Sequence, residues 1–123
     1  MCLISNDLPK VAEKDIVVWK VFRKVGFWKP QFISPYRSFL YTKKKQMPSV
    51  ELSPIITRWH GTKYEEGYYS FAKKRDAMME KKIFIRAVVR KCIIPKGARY
   101  VLGDFNSEND SYVSSTIILC ATF

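Results

Sequence analysis

Residues Ile83–Ile94 read IFIRAVVRKCII, and this run limits the folds open to the chain more than any other segment. β-Branched side chains are stiff at χ1 and suit a pleated strand better than a helix. The odd positions Ile83, Ile85, Ala87, Val89 and Ile93 are apolar, with Lys91 the exception; the even positions mix Phe84, Val88 and Cys92 with Arg86 and Arg90. A period of two sends the two sets to opposite faces of a sheet. The pattern predicts a long strand with one face in a core and a second, basic face partly open to solvent. Ile16–Lys24 (IVVWKVFRK) has the same composition and predicts a second strand, ended by Gly26. Ser38–Thr42, Gly67–Phe71, Arg99–Leu102 and Thr116–Phe123 predict shorter strands, and Pro54–His60 a short strand or loop. Residues 1–15, Trp28–Tyr36 with its two prolines, and Gly103–Ser111 read as irregular. Ala72–Lys82 is the one helix, with Ser70 as its N-cap and Ala72, Met79 and Ile83 near one face beside Met78. The whole predicts an α+β fold, one domain over residues 1–123, with a mostly antiparallel curved sheet packed with one main helix.

Charge narrows the class of function. The 123 residues hold 22 Lys and Arg against 11 Asp and Glu, a net charge of +11. The excess is uneven. Residues 67–103 carry ten cations and two acids, whereas residues 104–123 carry three acids and no cation. Such asymmetry points to a basic patch. The candidate contacts are Lys43, Lys44 and Lys45 in a charged turn; Lys73, Lys74, Arg75, Lys81 and Lys82 around the helix; and Arg86 and Arg90 on the long strand. Lys and Arg neutralise phosphates and release counterions, so a patch of this kind favours nucleic acid. Tyr68, Tyr69 and Trp28 are the rings offered for stacking on bases. The alternative for such cations is a solvated face that keeps the protein soluble, and for Arg86 and Arg90 that their stems cover apolar surface.

Catalytic chemistry has little material. His60 is the only histidine. Cys2, Cys92 and Cys120 are odd in number and unpaired in spacing, which disfavours both a disulfide framework and a zinc site with His60. Cys92 and Cys120 lie in apolar runs and read as small core residues. No glycine-rich phosphate loop occurs. No cofactor is expected. The segment at the start has no apolar stretch of signal type, and no run reaches membrane-spanning length, which predicts a cytoplasmic protein.

Two resemblances add to this reading. His60-Gly61-Thr62, then Gly67-Tyr68-Tyr69-Ser70-Phe71, a helix and a long strand resemble the core of ADP-ribosyltransferases of the poly(ADP-ribose) polymerase type. That resemblance implies a ribose contact at His60 and ring stacking at Tyr68 or Tyr69. The glutamate such chemistry needs has only Glu108 to supply it after Gly103. Across most of the chain, Lys14–Lys24, Ser34-Pro35-Tyr36, Gly67–Ala77, Val88–Tyr100 and Tyr112–Leu119 together resemble a group of small uncharacterised proteins of phages and mobile elements of Bacteroidota. Tyr69 stands where that group usually has histidine. The resemblance implies a mobile-element origin. With the charge, it gives the expected function: a non-enzymatic protein that binds RNA or a ribonucleoprotein, of the kind that inhibits a guide-RNA nuclease of the type VI CRISPR class. The alternative is an ADP-ribosyltransferase-like domain that binds or uses NAD.

Overall fold

The computed structural model of the chain describes residues 3–4, 8–26, 31–34, 40–57, 61–64, 66–103 and 110–120. These form β1 (Leu3–Ile4), β2 (Lys10–Val11), β3 (Ile16–Val25), β4 (Gln31–Ile33), β5 (Leu40–Tyr41), β6 (Pro54–Thr57), β7 (Gly61–Tyr64) and β8 (Tyr68–Phe71). The helix α1 (Lys74–Lys81) follows, then β9 (Ala87–Ile94), β10 (Arg99–Gly103), β11 (Ser111–Ser114) and β12 (Ile118–Leu119). With one helix of eight residues against twelve strands among the described residues, the fold is mainly β. The helix is an accessory to the sheet, so an α+β description overstates it.

The two segments richest in β-branched residues build the spine. β3 and β9 pair antiparallel over eight positions, from Ile16 opposite Ile94 to Arg23 opposite Ala87. The larger sheet runs β12-β9-β3-β8-β11-β10-β2, with β4 also on β3 and β5 on β4; β1, β7 and β6 form a small second sheet. Along one edge of β3 there is a fork. β8 meets it only at Trp19 opposite Phe71, and β4 takes over from Arg23 to Val25.

Hydrogen bonds then bring the sheet back on itself. Past β5, Lys43 bridges Leu119 and Gln46 bridges Ile118. The amides of Lys44, Met47 and Val50 donate to the carbonyls of Leu119, Ile117 and Ser115. Since β12 pairs with β9, a ring of bonded segments closes through β3, β9, β12, the stretch after β5, and β4. Val18, Phe22, Phe32, Tyr41, Cys92, Ile94 and Leu119 fill its inside. Closure of this kind removes the exposed edges of the paired strands.

Three sequence expectations change here. β9 begins at Ala87, not Ile83. Residues 83–86 are turns, because the amides of Ile83 and Phe84 donate to the carbonyls of Glu80 and Lys81 and extend the helix in tighter turns. Ile83 and Ile85 are accordingly 66% and 82% exposed, where strand alternation places them in the core. Second, the even face of β9 is half-buried at Val88 and Arg90 and closes further along. Its even residues Cys92 and Ile94 look into the closed ring, while Ala87 and Val89 lie under α1 with Val21 and Phe71. Third, Ser70 is a buried residue of β8. Lys73 is the N-cap and gives no side-chain bond, and Ala77 is the only buried residue of α1.

Candidate nucleic-acid interface

The cations around α1 are exposed because the helix needs only one small contact. Ala77 sits against Val21, Phe71, Ala87 and Val89, which leaves Lys74, Arg75, Met78 and Met79 of α1 exposed. Lys73, Lys74, Arg75 and Lys82 are exposed, and Lys81 is half-buried. Lys74 Nζ lies 5.2 Å from the Trp19 ring centroid, a cation–π contact. Arg75 Nε is 4.0 Å from Asp76 Oδ1. Met78 and Met79, assigned to the inner side of the helix by the sequence, are exposed as well.

The turn after α1 ends at Arg86, which adopts φ 56°. An arginine in this left-handed region costs about 1–2 kcal/mol. The Lys24 amide donates to its carbonyl at 3.1 Å, which fixes the turn to the outgoing end of β3. Lys24, Gly26, Arg86, Ala87 and Val88 line a cleft of about 430 Å³. An adjoining one of about 370 Å³ is lined by Arg23, Lys24, Val25, Ile85 and Arg86. One end of the molecule thus gathers Arg23, Lys24 and Arg86 directly after the helix that carries Lys73, Lys74, Arg75, Lys81 and Lys82. Arg23 and Lys24, left out of the candidate contacts, belong to this end; nothing in their own strand marks them, because β9 brings Arg86 to them.

Arg90 is elsewhere. It is half-buried and stands directly opposite Lys20 on β3. Its guanidinium lies over the Phe32 ring at 5.5 Å, and Nη1 donates to the Val89 carbonyl at 3.0 Å. Lys43 Nζ lies over the same ring at 5.7 Å. Arg86 and Arg90 therefore do not form an even row on one open strand face, because the left-handed residue interrupts the alternation. Lys43, Lys44 and Lys45 form the expected exposed turn. Lys44 takes φ 64°, and the Lys45 amide donates to Thr42.

The tyrosines offered for stacking are inside. Tyr68 is 3% exposed and donates its hydroxyl to the Pro48 carbonyl at 2.6 Å. Tyr69 is 8% exposed and donates to the Tyr64 carbonyl at 2.7 Å. β7, which carries Gly61 and Thr62, and β8 belong to different sheets. His60, Trp28, Glu108 and Cys2 lie outside the described residues.

A cation missed by the sequence reading sits at the fork in β3. Lys20 is 6% exposed. Its Nζ donates to the Tyr69 carbonyl at 2.5 Å and lies 5.7 Å from the Tyr41 ring and 6.0 Å from the Phe22 ring. Burial lowers its pKa from 10.5 to about 8, with Cys92 a smaller opposing influence. Its position was legible, since Val18, Lys20 and Phe22 share one face of β3. Cys92 has its thiol pushed up to about 12 by burial, which leaves it a protonated core residue. Among the described residues, no three of His, Cys, Asp and Glu come together as metal ligands would.

Set against models of known protein families, curated proteins and solved structures, this chain finds no match.

Proposed function

We propose that this chain is a non-enzymatic protein that binds RNA, alone or within a ribonucleoprotein, through the basic end built from α1, the turn that follows it and the outgoing end of β3. The observation that carries this reading is the cleft shared by Lys24 and Arg86 beside the exposed cations of α1. The stretch from Lys73 to Arg86 holds six cations against two acids, Asp76 and Glu80. Lysines on a short helix adapt to an irregular phosphate backbone, and the arginines add planar donors that bind phosphate in pairs. The likeness to mobile-element proteins of Bacteroidota directs the proposal to a guide-RNA nuclease as the ribonucleoprotein, which the protein would inhibit from this surface.

The test is charge reversal. Lys73, Lys74, Arg75, Lys81 and Lys82 are changed together to Glu, and binding to a 20-nucleotide single-stranded RNA is followed by anisotropy over a salt series. Wild type should lose affinity steeply with salt, by about 0.7 in log–log slope for each phosphate neutralised. The variant should bind at least about 100-fold more weakly and still unfold cooperatively, with stability lowered by about 1–2 kcal/mol through loss of the Lys74 contact with Trp19 and reversal at half-buried Lys81. Unchanged affinity in a folded variant refutes the assignment. Pull-down from host cells with and without ribonuclease then separates RNA from protein as the primary contact, and the loss of target-RNA cleavage by a guide-loaded nuclease tests inhibition.

A further inference from the structure

The structure places Lys10, Tyr100, Leu102 and Tyr112 on one face of the large sheet, near the far end of β3 from the basic cleft. Register settles this. Tyr100 pairs with Lys10 on β2 and with Ser114 on β11, and Leu102 pairs with Tyr112. The two tyrosine rings meet edge to face, with centroids 5.8 Å apart and planes at 61°. Both are half-buried, unlike Tyr68 and Tyr69. Lys10, Val11, Glu13, Lys14, Ile16 and Tyr100 line a groove of about 700 Å³, and a smaller one of about 120 Å³ adjoins it at Leu8, Leu102 and Tyr112.

Three features say what such a groove takes. Its size is that of a small-ligand site. Together the two grooves combine half-buried tyrosine rings with exposed aliphatic side chains, for Leu8, Val11 and Leu102 are 74%, 57% and 40% exposed. The lining charges of the larger groove are Lys10 and Lys14 against Glu13, a positive balance that suits an anionic chain. Aromatic rings beside lysines form the arrangement on which unpaired bases stack while phosphates are neutralised.

We propose that this groove is a base-stacking subsite for single-stranded nucleic acid, with Tyr100 and Tyr112 as the stacking rings and Lys10 and Lys14 as phosphate contacts. The inference rests on the RNA-binding reading above and specifies it: the strand must be unpaired. Ile16 lines the groove and Lys24 lines the basic cleft, eight residues along β3, or about 26 Å at ~3.3 Å per residue. The face of β3 between them, Val18, Lys20 and Phe22, is buried, so the groove and the cleft are separate sites, and an RNA strand that reaches both passes around the ring and is longer than that distance.

The experiment compares three probes of equal length at one salt concentration: oligouridylate, an abasic ribose–phosphate strand, and a blunt RNA duplex. Wild type should bind oligouridylate at least about ten-fold more tightly than the abasic strand. Tyr100→Leu and Tyr112→Leu should bring that ratio toward one and leave abasic binding unchanged. In wild type, tyrosine ring protons should shift on adding oligouridylate and stay in place with the abasic strand, a readout that needs no variant to fold. Equal binding of oligouridylate and abasic strand, without ring shifts, overturns the stacking subsite while the polyanion reading stands. No binding to any probe overturns the RNA reading itself. Equal losses on all three probes show that the tyrosines hold the fold and do not stack.

Discussion

Replacing Lys20 by methionine removes a buried ammonium and keeps most of the volume. The fall in pKa from 10.5 to about 8 corresponds to about 3 kcal/mol of penalty on the charged form in the folded state. The replacement also takes the donor away from the Tyr69 carbonyl, a loss of about 1–3 kcal/mol. The two effects oppose each other at pH 7, and the pH dependence of stability is the better measurement. Between pH 8 and 10.5 the unfolded chain holds a proton on Lys20 that the folded chain has released, so stability rises with pH. Above about pH 9 the unfolded Cys92 thiol ionises while burial keeps the folded one protonated to about 12, and stability falls. Tyr41, also raised by burial, adds to the fall above pH 10. The net rise is confined to pH 8–9 and amounts to about 1 kcal/mol. Urea unfolding under reducing conditions, followed by tryptophan fluorescence at pH 7, 8, 9 and 10, should show this rise in wild type and not in Lys20→Met. Equal slopes for the two proteins between pH 8 and 9 would refute the buried ammonium.

Gly67 holds φ +121°, and a Cβ there would lie 2.5 Å from Val113 Cγ2 and 2.8 Å from Leu52 Cδ2. Gly67→Ala should cost about 2 kcal/mol or more in denaturant unfolding, from strain and overpacking together. Gly97→Ala, at φ +91° with nothing within 4 Å, should cost about 1 kcal/mol from the backbone alone. Arg86→Gly should raise thermal stability by about 0.5 kcal/mol, relief of the left-handed strain being partly offset by glycine's entropy, and should weaken RNA binding. Phe22 is fully buried, edge to face with both Phe32 and Tyr41. Phe22→Ala should cost about 3–5 kcal/mol, measured by the same unfolding assay.

The long apolar runs were readable because many consecutive residues repeat one period. Ile16–Lys24 becomes β3 almost to the residue, and Gly26, at φ 98°, follows its end. β8 and β10 emerge close to their expected bounds. β1, β2, β4, β7 and β11 were not read as strands. They have two to four residues each, too few to display a period, and the strands beside them hold them in place. Among the site residues, the exposure of the helix cations was legible from their number around a short helix. The loss of Tyr68 and Tyr69 to the interior was not, because their hydroxyls are satisfied by Pro48 and Tyr64, whose carbonyls come near only in the folded chain.

By itself the sequence determined the spine of the sheet, the basic balance upstream of Gly103 and the helix before β9, because each follows from local composition. Tertiary structure alone decided which faces are covered. Closure of the ring through Lys43–Val50 and Ser115–Leu119 turns the even face of β9 inward and draws Arg90 onto Phe32. Tight turns after α1 take Ile83 and Ile85 out of the strand, and left-handed Arg86 ends them beside Lys24. Pairing of β10 with β2 and β11 gathers Lys10, Tyr100 and Tyr112, up to 102 residues apart in the chain, into one groove. Burial is a property of what packs against a segment, and those partners are distant in sequence.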